Sequence, residues 1–365
     1  MSILIFFVVL FVLVLVHEWG HFIVAKKTGM RVDEFGIGFP PKLFGVRKGE
    51  TEYTFNALPI GGFVRIWGEN GEEERFPEEY AKSKGRAFSD RPKWAQALVL
   101  IAGVTMNILF AWFLFSVTYM VGVQTVVQED VATEEAKLYV TGVIDDSPAS
   151  VIPTNSVITN ISFGDQSIDS PFLSEFTGLI NEASGNPVSV SFETSGESAT
   201  VEISAAQGLS EDNPDRYIVG ASLALVDVVR QPFFTAIKEG FNSTINGLVG
   251  ITVGLSGLIT QAFVGDADFS QVAGPIGIVG MVGDAAEFGF TALLTFTAII
   301  SLNLAVINLL PFPALDGGRL VFVAIEAVSG KKIPPEWGGR VNLVGFAILM
   351  LLMIAVTYND ISRLL

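Results

Sequence analysis

His17, Glu18 and His21 close the apolar run "VLVLVHEWGHF" at residues 12–22, where lipid-facing side chains would be expected. Both histidines of the chain lie here. Residues i and i+4 share one helix face, so His17 and His21 set two imidazoles side by side, at the spacing of two zinc ligands. Glu18 is the expected general base of such an H-E-x-x-H arrangement. Zinc lowers the pKa of bound water toward about 7 and polarises a carbonyl, while a carboxylate takes the proton. Ionisable residues at membrane depth are costly and point first to function. The plainer alternative is a pair of helix-end histidines reaching for the interface.

A catalytic zinc needs a third protein ligand and an open position. The chain has no cysteine and no further histidine, so the third ligand must be a carboxylate. The best candidate is Asp316 in "NLLPFPALDGGRL", residues 308–320. Pro311 and Pro313 cannot continue a helix ladder, and Gly317 and Gly318 allow unusual dihedrals. Irregular backbone at membrane depth is tolerated only where it is buried or lines a cavity. A helix-capping aspartate at a span end is the alternative.

The elements that must carry these residues are membrane helices. The 365 residues are 50% hydrophobic and 16% charged, too apolar for an ordinary soluble protein. A net charge of −16 argues against a nucleic-acid partner. Four spans are expected, at about 3–25, 94–123, 290–312 and 341–357. The first is not expected to be a cleaved signal, because no basic residue precedes it and no small-residue cleavage site follows. Residues 26–93 carry 13 Lys/Arg against 11 Asp/Glu, and residues 124–231 carry 3 against 17. The basic loop belongs on the cytoplasmic side, which leaves 124–231 outside. Span three then runs inward and brings Asp316 to the depth of His17 and His21. An extra crossing at 233–264 would reverse that span, so this segment is expected to be interfacial or re-entrant. A spanning helix there stays open.

The expected organisation is a first membrane half over 1–123, an outer domain over 124–231, and a second membrane half over 232–365. The outer domain reads as strand, hairpin, helix, hairpin. Leu173, Phe176, Leu179 and Ile180 form one helix face, and the order resembles a PDZ domain. Residues 68–90 are polar and charge-rich, and a mobile cytoplasmic loop is expected. In "VDEFGIGF", Phe35, Ile37 and Phe39 alternate with polar or glycine positions. A substrate helix must unwind before its carbonyl meets zinc, and a sheet edge supplies new partners by strand addition. "EYTF" and "FVRI" continue the alternation. This sheet, with Phe35, Gly36, Ile37 and Gly38 in it, is expected to dip into the cytoplasmic side of the bilayer and pair with substrate; a plug that closes the bundle is the alternative.

His17-Glu18-Trp19-Gly20-His21 in a first span, with Leu315-Asp316-Gly317 in a late one, resembles the site-2 protease family of intramembrane zinc metalloproteases. "FGIGFPPKLFG" (35–45), "ALPIGGFVRIWGE" (57–69), "RPKWAQALVLIAGVTMNILFA" (91–111) and "AGPIGIV" (273–279) extend the likeness over nearly the whole chain. It implies a polytopic helical membrane protein with a membrane-associated β segment and one PDZ-like insert. It also implies one zinc per chain held by His17, His21 and Asp316, with Glu18 as base. Asn308, Asn107, Phe35, Gly36, Ile37, Gly38, Pro311 and Pro313 become candidate substrate contacts, although helix packing would also account for Asn107 and Asn308. The implied location is a prokaryotic plasma membrane, in contact with the lipid bilayer and with the active site toward the cytoplasm. The implied substrates are single-span membrane proteins, such as an anti-sigma factor or a remnant signal peptide. A peptide-binding membrane scaffold and a metal carrier are the competing classes, and neither needs Glu18.

Overall fold

The computed structural model describes residues 2–69, 76–194, 196–208, 217–265 and 273–364. The chain begins with α1 (Ser2–Lys27), β1 (Val32–Lys48) and β2 (Thr51–Ile66). A short helix α2 (Pro77–Lys82) and the long helix α3 (Lys93–Val121) follow. Next come β3 (Val123–Val126), β4 (Lys137–Val143), β5 (Val157–Phe163), β6 (Gln166–Asp169), α4 (Leu173–Ala183), β7 (Pro187–Thr194), β8 (Glu197–Ser204) and β9 (Ala221–Val229). The chain closes with α5 (Phe233–Val264), α6 (Pro275–Glu287), α7 (Phe290–Leu309), α8 (Asp316–Ser329) and α9 (Pro335–Leu364). Two units result, one of residues 1–120 with 232–365 and the other of residues 121–231.

In the first unit, five helices among the described residues are long and apolar enough to cross a membrane, against the four expected: α1, α3, α5, α7 and α9. The difference is α5, expected to be interfacial or re-entrant. It is one unbroken helix of 32 residues with no turn back. It packs against α3, where Trp112 Nε1 donates to the Ile237 carbonyl at 2.9 Å, and against α7, where Gly247 faces Leu302. The unbroken helix excludes the re-entrant form of the expectation.

β1 and β2 are each bent, and their register builds four antiparallel segments. Phe35 pairs with both Val64 and Tyr53, Gly36 with Phe63 and Thr54, and Ile37 with Gly62 and Phe55, while Phe44 also pairs with Phe55. The lateral order is therefore 42–48, 51–56, 34–37, 62–66. Segment 34–37 lies inside the sheet with partners on both sides.

The described part of the expected mobile loop is held in place. Residues 70–75 lie outside the described residues. Beyond them, Arg31 bonds Glu79 at 2.6 Å, Tyr80 bonds Asp90 at 2.9 Å, and the Phe88 N–H donates to the Trp67 carbonyl at 2.7 Å. Charge density hid Phe88, which is buried against the β segment and α3.

The second unit is a sheet of order β3-β9-β4-β5-β7-β8, with β6 beside β5. Both expected hairpins form, β5–β6 around Gly164-Asp165 and β7–β8 from Pro187↔Ser204 inward. Phe176, Leu179 and Ile180 of α4 pack on Leu138, Ile158, Ile161, Val188 and Val190. Leu173, expected on that face, is 38% exposed because it opens the helix.

Candidate metal centre

α1 carries His17 and His21 on one face, both buried. α1 and α3 run antiparallel past each other, so His21 meets Val99 and His17 meets Asn107. The His21 Nδ1–H donates to the Val99 carbonyl at 2.8 Å. That bond leaves Nε2 with its lone pair free for a cation. Asn107 Nδ2 lies 3.3 Å from His17 Nδ1.

Asp316 arrives from 299 residues along the chain. α7 stops at Leu309, and the prolines turn the backbone sharply before α8 begins at Asp316. The turn is tight. A Cβ on Gly317 would stand 2.1 Å from the Leu310 carbonyl oxygen, and one on Gly318 would stand 2.2 Å from that of Phe312. Ala314 adopts φ +74°, and its N–H donates to Asn342 Oδ1 of α9 at 3.2 Å. A non-glycine residue in this region needs such support.

Three donor atoms converge. His17 Nε2 lies 3.0 Å from Asp316 Oδ2, His21 Nε2 lies 3.3 Å from the same oxygen, and the two Nε2 atoms are 3.1 Å apart. Two donors held about 2.0–2.2 Å from one zinc at tetrahedral angles stand roughly 3.3–3.6 Å apart. Two imidazoles and a carboxylate in so small a triangle, with no thiolate, fit zinc. Among the described residues this is the cluster of His, Asp and Glu that suits a metal ion.

The triangle opens into a cavity of about 520 Å³ lined by Glu18, Asn308, Asp316 and the strand Gly61–Val64. Glu18 accepts a hydrogen bond from the Val64 N–H. Glu69 and Arg319 form an ion pair at the same cavity. Outside the spans, Arg86 and Lys26 hold the Glu50 carboxyl down to about 2 by hydrogen bonding and charge.

The remaining expected substrate residues divide. Asn308 lines the cavity, but Asn107 is fully buried behind His17. Phe35, Gly36, Ile37 and Gly38 do not line it. Phe35 is buried against the Phe22 and Tyr53 rings, and segment 34–37 is paired on both sides, so it offers no free edge to an added strand. The open edge facing Glu18 is 62–66. Period-2 alternation marks a strand but not which of its sides stays unpaired. Pro311 is exposed and Pro313 packs on Gly345, so both shape the turn without lining the cavity. Sequence reasoning missed Val99, Gly103 and Asn342, and it placed "FVRI" in the substrate-pairing sheet without marking 62–66 as the open side. The "PIGGFV" glycines and the small residue four before Asn107 were the available signals.

A model of peptidase family M50 matches residues 5–352. A Clostridium perfringens protein is 37% identical over 350 residues, 96% of this chain and 95% of that one. Zinc metalloprotease RasP of Oceanobacillus iheyensis is 31% identical, with all of both chains covered. The regulator of sigma-W protease RasP of Bacillus subtilis is 28% identical over 100% of this chain and 99% of its own. A solved PDZ domain of a Listeria monocytogenes protein aligns with 26% of this chain and 93% of its own length, at 20% identity and a TM-score of 0.21.

Proposed function

This chain belongs to peptidase family M50, and from that premise we propose that its His17, His21 and Asp316 hold the zinc of an intramembrane metalloprotease. One observation carries the assignment: three donor atoms from the two ends of the chain lie within 4.8 Å of one another, with Glu18 beside them. Zinc, when bound, supplies an acidic water and a polarised carbonyl. Glu18, at the mouth of the triangle, would serve as the base that takes a proton from the attacking water and as the acid that hands it to the leaving amine. The unwound substrate adds as a strand to the 62–66 edge, where Asn308 is within reach of its backbone. The substrate class is a single-span membrane protein. A membrane-bound anti-sigma factor is the leading member, suggested by the relative named for sigma-W, and a remnant signal peptide is another.

The metal centre faces the cytoplasmic side of a bacterial plasma membrane, in keeping with the Lys/Arg of residues 26–93. The acidic unit 121–231, read as PDZ-like from its hairpin–helix–hairpin order, screens substrates on the other side. Glu18→Gln tests the chemistry. Zinc content stays at one per chain while cleavage of a single-span substrate in vesicles falls by about 10²–10⁴-fold. Unchanged cleavage sinks the assignment. Proteomic comparison of membranes holding the parent and the Glu18→Gln protein names the substrate.

A further inference from the structure

Along the face of α3 that meets α1, positions 99, 103 and 107 follow at i, i+4 and i+8. They present a carbonyl, an empty space and a carboxamide. The carbonyl is Val99, bound to His21. The space is Gly103, where a Cβ would lie 2.5 Å from His21 Nε2 and 2.7 Å from His17 Nε2 and Cε1, too close for either ring to keep its place. The carboxamide is Asn107, 0% exposed, with its main-chain oxygen tied to the buried Ser301 hydroxyl at 2.8 Å. Asn107 therefore cannot touch a substrate in the cavity.

The Asn107 amide presents Nδ2 to His17 Nδ1, and its Oδ1 is buried without a hydrogen-bond partner. A neutral imidazole that gives Nε2 to a cation carries its proton on Nδ1 and needs an acceptor there. Rotating the carboxamide by 180° about its last torsion brings the orphaned Oδ1 to that proton. A carboxamide is the neutral side chain that serves both tautomers, as donor or as acceptor.

We propose that α3 forms the outer wall of the metal centre, with Asn107 orienting the metal-binding tautomer of His17 and Gly103 leaving both imidazoles room to converge on the ion. Both are positioning residues, and the inference rests on the zinc reading above. The experiment measures zinc affinity by chelator competition, and the cobalt absorption spectrum, on full-length protein in detergent. A Glu18→Gln background keeps turnover out of the readout. Asn107→Leu, which removes the acceptor, weakens zinc by about 10–100-fold, the range for outer partners of metal ligands. Asn107→Asp keeps an acceptor and holds zinc at least as tightly as the parent. Gly103→Ala abolishes stoichiometric zinc while the thermal transition of the zinc-stripped protein stays within a few degrees of the parent's.

Equal zinc affinity in the Leu, Asp and parent proteins overturns the Asn107 assignment, as does an Asp variant weakened as much as the Leu one. Full zinc in Gly103→Ala overturns the Gly103 assignment. A parent protein that binds no zinc instead sinks the underlying metal reading.

Discussion

The two units put different things on their surfaces and inside. In unit 121–231 the interior is Leu138, Ile158, Ile161, Val188, Val190 and their neighbours. Among the described residues the ionised groups stay outside except Asp227, which is buried and accepts hydrogen bonds from the Thr133 N–H and hydroxyl. In the other unit, Val249, Val253, Leu343, Leu351 and Leu352 are exposed, while His17, His21, Asn107 and Ser301 are buried. Water drives apolar area inward and rewards charge at the surface. Hydrocarbon gives no such drive between helices, and it leaves polar groups nowhere to go but inward, onto one another. The polar cluster inside the first unit, set between apolar ones, is therefore a specific assembly, and the apolar interior of the second is a packing problem. Damage to the first should erase chemistry, whereas damage to the second should cost stability.

The largest expected effect breaks the polar assembly at its most distant member. Asp316→Asn should weaken zinc by more than the roughly 10–100-fold typical of outer partners, read by metal analysis after dialysis against chelator. Unchanged stoichiometry would remove Asp316 from the ligand set. Next, Ile161→Ala in the apolar interior should cost about 2–5 kcal/mol of that unit's stability in denaturant melts while zinc content stays constant. If zinc falls with it, the contrast between the units fails. Asn342→Ala, which frees the Ala314 N–H and loosens the turn ahead of Asp316, should cost about 1 kcal/mol and lower zinc affinity less than Asp316→Asn does.

The smallest effect lies at an exposed ion pair. Glu50 has its carboxyl lowered to about 2 by Arg86 and Lys26, so its contribution is complete above the unfolded carboxylate range near 4.5. It fades as pH drops from there toward 2. A melting difference between the parent and Glu50→Gln, full at pH 7 and mostly lost by pH 2, is the expected signature. Solvent screening keeps it small.

The convergence of His17, His21 and Asp316 was largely legible from spacing. The i,i+4 histidines, the glutamate between them and a single proline- and glycine-bracketed aspartate near a span end leave little room for another arrangement. The hairpins of 157–169 and 187–204 were legible from alternation and turn residues. The 62–66 edge was not, because "VDEFGIGF" and "GGFVRI" both read as strands, and only the bend of β1 and β2 decides which one is enclosed. Gly103 was equally hidden, since in an apolar helix one more glycine looks like packing until an imidazole stands beside it.

Sequence alone determined which side chains meet on one helix face, which segments are apolar enough for lipid and which residue types were available to bind a metal. These follow from helical periodicity and composition, which are local. Tertiary structure decided which strand edge faces Glu18, which helix closes the far side of the histidines and how Asp316 crosses 299 residues to reach them. Those outcomes depend on backbones passing within ångströms of each other, and no local pattern along the chain encodes that distance.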